Sequence, residues 1–349
     1  MTTDHHLSPG PSDSHSAEQL TLSRQWFVAC TSRELRQQPI ARTVLNRPLV
    51  LFRNGRSAVA LIDRCAHRNA PLSAGRVIDG CVQCPYHGWQ FNSAGQCVLR
   101  PGIRQTAPRE TAIESLRVCE QSGYVWVCFD PAASASPVSR RWPAEASFGQ
   151  FTWIDTVEAS FADAMENLLD GTHTPFVHSG LVRSSAHQQT FSAIVRIREG
   201  FAEAEYLNEG RQAGWISKLF ERDRSRSFGR FIPPCLAELE YTSQRGTEFV
   251  LNSHFTPESP GVLRVYSTIF LRRTLVPDFV KRWVITPFFR RVLKQDRHIL
   301  KLQQDNIRRH GGPQFQSWEG DILRGWIDTW LRHGHLPQTV PEHRVDFQL

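Results

Sequence analysis

The chain has 349 residues, of which 40% are hydrophobic and 21% charged, with a formal net charge of +7. That length is enough for two domains with separate cores, and no apolar run approaches the roughly eighteen residues of a membrane-spanning helix. The basic residues are scattered, with only short groups such as Arg272-Arg273 and Arg290-Arg291, and no recognition helix or stacking platform accompanies them, so nucleic acid is not an expected partner.

Residues 1–20 combine Pro, Ser, Asp and Gly with few apolar side chains and are expected to be a disordered tail, in which His5, His6 and His15 are solvated. The N-terminus carries neither a charged nor an apolar segment of the secretory kind, and the eight cysteines are better used as thiols than as disulfides, so a reduced, cytoplasmic protein is expected. From Trp26 onward, short β-like runs alternate with turn chemistry. Asn54-Gly55 suits a two-residue hairpin, and Asn92-Ser93-Ala94-Gly95 and Ser122-Gly123 mark two more. These features predict an antiparallel β domain over residues 21–135, with Cys30, Cys97, Cys119 and Cys128 as buried thiols in or beside its strands.

Within that domain Cys65-Ala-His67 and Cys84-Pro-Tyr-His87 space four soft ligands as C-x-H-x16-C-x2-H. A structural zinc would take all four around one ion, whereas a Rieske [2Fe-2S] cluster places both cysteines on one iron and both histidines on the other. Zinc sites usually pair like ligands within a loop; here each loop carries one of each, which favours the cluster. Cys81 forms a C-x-x-C with Cys84 and reads as a buried thiol at a strand end. The segments C65-A-H-R-N-A-P-L-S-A-G75 and C84-P-Y-H-G-W-Q-F91 resemble the two cluster-binding loops of the Rieske non-haem iron oxygenases.

Residues 131–143 have linker composition, so a linker is placed at 136–149 and a second domain at 150–349. Apolar residues Phe161, Ala164, Met165, Leu168 and Leu169 recur at helical spacing over 160–170, and Asp163, Asn167, Asp170 and His173 fall on the opposite, polar face. His173 and His178 are five residues apart, about 140° on a regular helix, so Gly171 and Pro175 are expected to break the helix and let both reach one ion. Two histidines lack only a carboxylate to form a facial triad for Fe(II). Two late aspartates compete for that place: Asp296 has Val292, Leu293, Ile299 and Leu300 around it, while Asp305 has Lys301, Arg308 and Arg309, so Asp296 is the inward choice. Strand-like alternation fills 190–275, a helix follows from about Pro287 to Arg309, and another covers about Ile322 to Leu331 with Gly334 as its stop. No G-x-G-x-x-G or P-loop occurs.

The pattern N167-x2-D170-x2-H173-x4-H178 resembles the iron-site helix of the same oxygenases. The resemblance implies an α+β chain: a Rieske β domain followed by a helix-grip catalytic domain with an antiparallel sheet and long C-terminal helices. It implies a [2Fe-2S] cluster on Cys65, His67, Cys84 and His87, and mononuclear Fe(II) on His173, His178 and Asp296. Asp170, with Asn167 beside it, would serve catalysis by linking an iron-site histidine to a cluster histidine of the neighbouring subunit in a homotrimer. The implied activity is that of a terminal oxygenase, a mono- or dioxygenase, which uses O2 to hydroxylate or demethylate a small cyclic or aromatic substrate. A separate NAD(P)H-dependent reductase, with or without a ferredoxin, would supply electrons. The competing readings are a cluster-bearing electron carrier and a zinc-stabilised binding module. Trp215, Phe228, Phe231, His254 and Phe270 are the expected pocket residues.

Overall fold

Three short hairpins shape the first third of the molecule, and each turns on a two-residue pair with positive φ: Leu45-Asn46 (51°, 61°), Asp79-Gly80 (47°, 76°) and Ser122-Gly123 (56°, 79°). Only the last was signalled by composition. At the fourth hairpin the ladder pairs Asn54 with Ser57, so Gly55-Arg56 forms the turn and Asn54 is still strand, one position later than expected. The structure, a computed structural model, describes residues 11–102, 111–133, 136–137, 147–178, 190–198, 200–207, 224–338 and 340–348. Trp215 and much of the expected linker therefore lie outside the described residues.

Helix α1 (Pro11–Ser23) comes first, followed by β1 (Phe27–Thr31), β2 (Ile40–Val44), β3 (Arg47–Asn54), β4 (Ser57–Ile62), β5 (Arg76–Ile78), β6 (Cys81–Gln83), β7 (Gln90–Phe91), β8 (Cys97–Leu99), β9 (Arg117–Gln121) and β10 (Tyr124–Cys128). The strands form antiparallel sheets in the orders β1-β10-β9, β2-β3-β4 and β5-β6-β7-β8. The helix corrects the expected tail for residues 11–20. Leu22 is buried and α1 packs on a late helix, so tertiary contact supplies the burial that local composition lacks. The first ten residues lie outside the described part.

The second part contains β11 (Phe148–Val157), α2 (Phe161–Leu169), α3 (Thr174–Val177), β12 (Thr190–Arg198), β13 (Phe201–Leu207), β14 (Arg224–Ile232), β15 (Leu236–Ser243), β16 (Gly246–Ser259), β17 (Val262–Arg272), α4 (Asp278–Arg309), α5 (Arg324–His333) and β18 (His343–Gln348). One antiparallel sheet runs β11-β17-β16-β15-β14-β13-β12-β18. The architecture is α+β as expected, with helices laid on one large sheet. Ser160 caps α2 by accepting the Asp163 N–H, and its apolar stripe is buried: Phe161, Ala164, Met165 and Leu169. Ile285 and Phe289 of α4 pack on Phe151, Leu251, Ile269 and Leu271. Helix α4 starts nine residues before Pro287, which lies inside it. Gly334 stops α5 in the left-handed region at φ 76°.

The two parts meet directly. Tyr266 donates its hydroxyl to the Ala29 carbonyl at 2.6 Å, Thr256 to the Val28 carbonyl at 2.7 Å, and Tyr124 and Thr268 share a 2.5 Å bond. His254 wedges into this contact, its ring 5.4 Å from Tyr124 and 5.0 Å from Trp126, and burial pushes it down to about 3. His254 is therefore an inter-sheet residue and not a pocket residue, because its strand position faces the small sheets. On the same large sheet a ladder of charges is buried: Arg230 reaches Glu203 at 2.6 Å, Glu238 at 2.8 Å and Glu240 at 2.6 Å.

Candidate metal centres

The two cysteine–histidine loops are built alike. Cys65, three residues past β4, donates its N–H to the Ala70 carbonyl at 2.9 Å, and Asn69, at φ 61°, closes the loop onto the Cys65 carbonyl at 2.9 Å. Cys84 follows β6, donates to the Trp89 carbonyl at 2.8 Å, and receives the N–H of Gly88, at φ 72°, at 3.1 Å. The loops are pressed together at Gly75, where a Cβ would meet the Gln83 carbonyl oxygen at 1.9 Å.

Cys65 and Cys84 are buried in an apolar cluster with Phe52, Leu61, Leu72, Val82 and Phe91, while His67 and His87 are exposed with ring centroids 4.5 Å apart. Trp89 stacks on His67 at 4.8 Å and 5°, and the Arg100 guanidinium lies 4.7 Å from the Trp89 ring. Burial pushes the Cys65 thiol up, partly offset by the His67 backbone N–H; partial desolvation, His87 and Arg68 push the His67 imidazole down, the direction that favours a free ring lone pair. Among the described residues only one group brings three donor atoms within 4.8 Å of one another, and it does not include these four. The donor set, with sulfurs inside and imidazoles outside, fits a two-iron cluster. Cys81, expected buried, is half-exposed at the start of β6.

The converging group is His173, His178 and Asp296. Helix α2 ends at Asp170, whose φ −80° and ψ 124° turn the chain out, and Gly171 follows. The break therefore lies before His173. From His173 to His178 the chain makes one helical turn, with the Val177 N–H on the His173 carbonyl and the His178 N–H on the Thr174 carbonyl. Pro175 sits in the first turn of α3, where its missing N–H costs nothing, and it starts this helix rather than breaking it. The two histidines occupy the ends of α3, their rings 5.2 Å apart.

Hydrogen bonds on the outer side fix the tautomers. Asp170 Oδ2 lies 3.2 Å from His173 Nδ1 and accepts the His173 backbone N–H at 3.2 Å, while Oδ1 accepts the Thr172 N–H at 2.7 Å. Gln295 Oε1 lies 3.0 Å from His178 Nδ1. A carboxylate and an amide oxygen only accept, so both Nδ1 atoms carry the proton and both Nε2 atoms present lone pairs inward. Those atoms are 3.3 Å apart, and Asp296 Oδ1 is 2.9 Å from His178 Nε2 and 3.6 Å from His173 Nε2. Asp296 Oδ1 is buried with no hydrogen-bond partner. Three facing acceptors repel unless a cation sits among them, and two imidazoles with one carboxylate suit Fe(II). Without a metal the same field recruits a proton. Burial alone would lower His173, but the facing carboxylates of Asp170 and Asp296 outweigh that and raise it to about 9. Burial pushes the Asp296 carboxyl up, but the two imidazoles outweigh it and hold it below the usual range.

Asp305 faces water with Lys301 at 3.6 Å and Arg308 at 3.5 Å, as its neighbours suggested. Ile299, expected inward beside Asp296, is exposed. Asn167 is half-buried one turn before Asp170 and is not among the converging groups. Asp163 leaves the expected polar face: it and Glu166 hold Arg324 of α5 at 2.8 and 2.7 Å. Gln295 was missed; its adjacency to Asp296 was the available signal.

Two family models match. One describes the Rieske [2Fe-2S] domain over residues 25–117, the other the vanillate O-demethylase oxygenase C-terminal domain over 157–321. The chain is 34% identical over 178 residues to the dicamba O-demethylase oxygenase component of Stenotrophomonas maltophilia, covering 49% of this chain and 50% of that one. It is 32% identical over 170 residues to the vanillate O-demethylase oxygenase subunit of Pseudomonas sp. (strain HR199 / DSM 7063), covering 45% of each. These matches span about half the length of the curated relatives. Its fold is that of dicamba monooxygenase bound to 3,6-dichlorosalicylic acid, with a TM-score of 0.77 at 22% identity over 89% of this chain and 96% of the other. A Rieske domain joined to this C-terminal domain, on this fold, places the chain in the family of Rieske non-haem iron oxygenases.

Proposed function

We propose that this chain is a terminal oxygenase component that uses O2 and externally supplied electrons to hydroxylate or demethylate a small cyclic or aromatic substrate. The observation that carries this reading is the convergence of His173, His178 and Asp296, whose inward atoms are all acceptors, the two imidazoles being oriented so by their outer hydrogen bonds. Aromatic substrates are supported by relatives named for dicamba and vanillate demethylation. The cluster would be held by Cys65, His67, Cys84 and His87 in a domain spanning 21–135, and Fe(II) by His173, His178 and Asp296 in a domain spanning 150–349, with 136–149 as linker. When bound, these groups supply single-electron transfer and reductive activation of O2.

The residues around the metals do the positioning. Asp170 and Gln295 keep the His173 and His178 rings oriented and their Nε2 atoms unprotonated. The exposed rings of His67 and His87 give the cluster an outward edge, which supports electron transfer to a neighbouring subunit through Asp170 in a homotrimer. Asn167, at the first position of the matching motif, stands beside that route. A separate NAD(P)H-dependent reductase, with or without a ferredoxin, would be the donor. A cytoplasmic location accords with a chain in which, among the described residues, no helix is long and apolar enough to cross a membrane.

Metal analysis of anaerobically purified protein tests the whole reading. About three irons per chain, a Rieske-type EPR signal on reduction and a high-spin signal with nitric oxide are expected. About two irons with no nitric oxide signal would make the protein a carrier, and a single zinc would make it a binding module.

A further inference from the structure

The start of α4 carries an apolar ridge that the oxygenase reading does not use. Leu275, Val276, Phe279 and Trp283 are 103, 48, 74 and 79% exposed. Large apolar side chains this free and this close together mark an interaction surface. Phe279, Trp283, Arg290 and Lys294 are spaced four, seven and four residues apart, so the aromatic pair and two exposed cations share one stripe, with exposed Arg282 at its edge. Between Arg273 and Lys294 there are six basic residues and one acidic, a local +5 within a chain of +7. Lys281 turns inward onto the Arg272 carbonyl, and Arg273 pairs with Asp278, so the outward charge comes from Arg282, Arg290, Arg291 and Lys294.

We propose that this ridge rests on an anionic membrane surface, with Phe279 and Trp283 in the headgroup–acyl boundary and the arginines on acidic headgroups. A helix with aromatics and cations on one stripe lies in the interface plane without spanning it. The position of the ridge argues against a redox partner. It adjoins the end of β17 where Leu271 pairs with Phe249, whereas the small sheets meet β17 at Tyr266 and Thr268. The nearer of these contacts, Thr268, is three residues from Leu271, about 10 Å of strand, so a donor seated on the ridge would stand on the far side of the domain contact from Cys65 and His87. A second copy docked through a two-fold axis would set the same arginines against each other, and a ring contact, which sets the ridge on a different surface of the next copy, is read by the oligomeric state of the variants below.

The test is co-sedimentation of the full-length, cluster-loaded protein with vesicles of phosphatidylcholine alone or mixed with phosphatidylglycerol. Binding to the anionic vesicles is expected, weakening with salt. Phe279→Ala with Trp283→Ala should lower the partition by at least about tenfold. Arg282→Gln with Arg290→Gln should abolish the preference for anionic lipid. An unchanged cluster spectrum and circular dichroism report that the variants are folded, and the single change Trp283→Ala serves if a double variant does not fold. The proposal fails if the parent stays in the supernatant with both vesicles, if the aromatic variants bind as the parent does, if those variants change the oligomeric state instead, or if an acidic protein binds the ridge while vesicles do not.

Discussion

The two candidate metal centres are built in opposite ways by one chain. The four residues proposed for the cluster lie within 23 residues, 65 to 87, on two loops that copy each other's backbone hydrogen bonds; the three proposed for the second centre span 124 residues, 173 to 296, at the two ends of α3 and on α4. The first hides its sulfurs and exposes its imidazoles, and the second buries His178 and leaves His173 and Asp296 half-buried. A local loop can form its geometry from short-range contacts alone, whereas the triad exists only when α3 and α4 are both docked. The cluster loops should therefore tolerate damage to the triad, and the reverse independence should also hold.

The sharpest way to break this comparison is Asp296→Ala. It should eliminate mononuclear iron and turnover while leaving the Rieske EPR signal intact; a lost cluster signal would show that the two centres fold as one. Nearly as large is Asp170→Ala, which should keep the cluster and, with Fe(II) in excess, refill the mononuclear site, yet lose coupled turnover, read by metal analysis beside product formation. If the Asp170 route runs between subunits, co-expressed His67→Ala and His173→Ala chains should recover activity as mixed oligomers.

A middle-sized effect concerns the outer hydrogen bonds. Gln295→Leu should weaken Fe(II) binding by roughly 10–100-fold, because His178 loses the partner that fixes its tautomer; equilibrium dialysis of Fe(II) measures it. The pH dependence sharpens the same point. His173 in the metal-free protein sits at about 9, above its unfolded value, so the protonated ring stabilises the apo fold below its unfolded pKa, and that contribution is lost as pH rises through about 9. Metal and proton compete for Nε2, so Fe(II) affinity should climb with pH up to about 9 and then level. The smallest effect is Asp305→Ala, within about 0.5 kcal/mol in stability and without change in iron content, since its ion pairs are exposed.

What could be read from the sequence follows the same division. The cluster motif is local, and ligand spacing was enough to favour it over zinc. His173 and His178 were found by spacing too, but the position of the helix break was misjudged: Pro175 can either end a helix or begin one, and only the extended backbone at Asp170 decides between them. Asp296 over Asp305 was decided by neighbouring polarity, although Ile299 turned outward. The turn at Leu45-Asn46 carries no signal because leucine seldom takes positive φ; tertiary bonds from its N–H groups to the Pro257 and Glu258 carbonyls hold it. The ladder around Arg230 was invisible for a related reason. Alternating Glu and Arg in a strand look like a wetted face until the sheet is assembled and they prove to be one another's partners.

The contact between the small sheets and the large one has a consequence for engineering. Strand β1 shifts register between Val28 and Cys30, and the two carbonyls at this irregularity, Val28 and Ala29, are the ones that receive the Thr256 and Tyr266 hydroxyls. The bulge is thus a socket, shaped in one domain and filled by the other. A Rieske module cut out of this chain would carry an open socket and a bare apolar face around Trp126, and a foreign module grafted in would fit only if it reproduced the same one-residue slip. Chimaeras joined on the C-terminal side of β10 should remain soluble where the incoming β1 carries the same one-residue slip, and those whose β1 lacks it should precipitate, whatever their cluster motif.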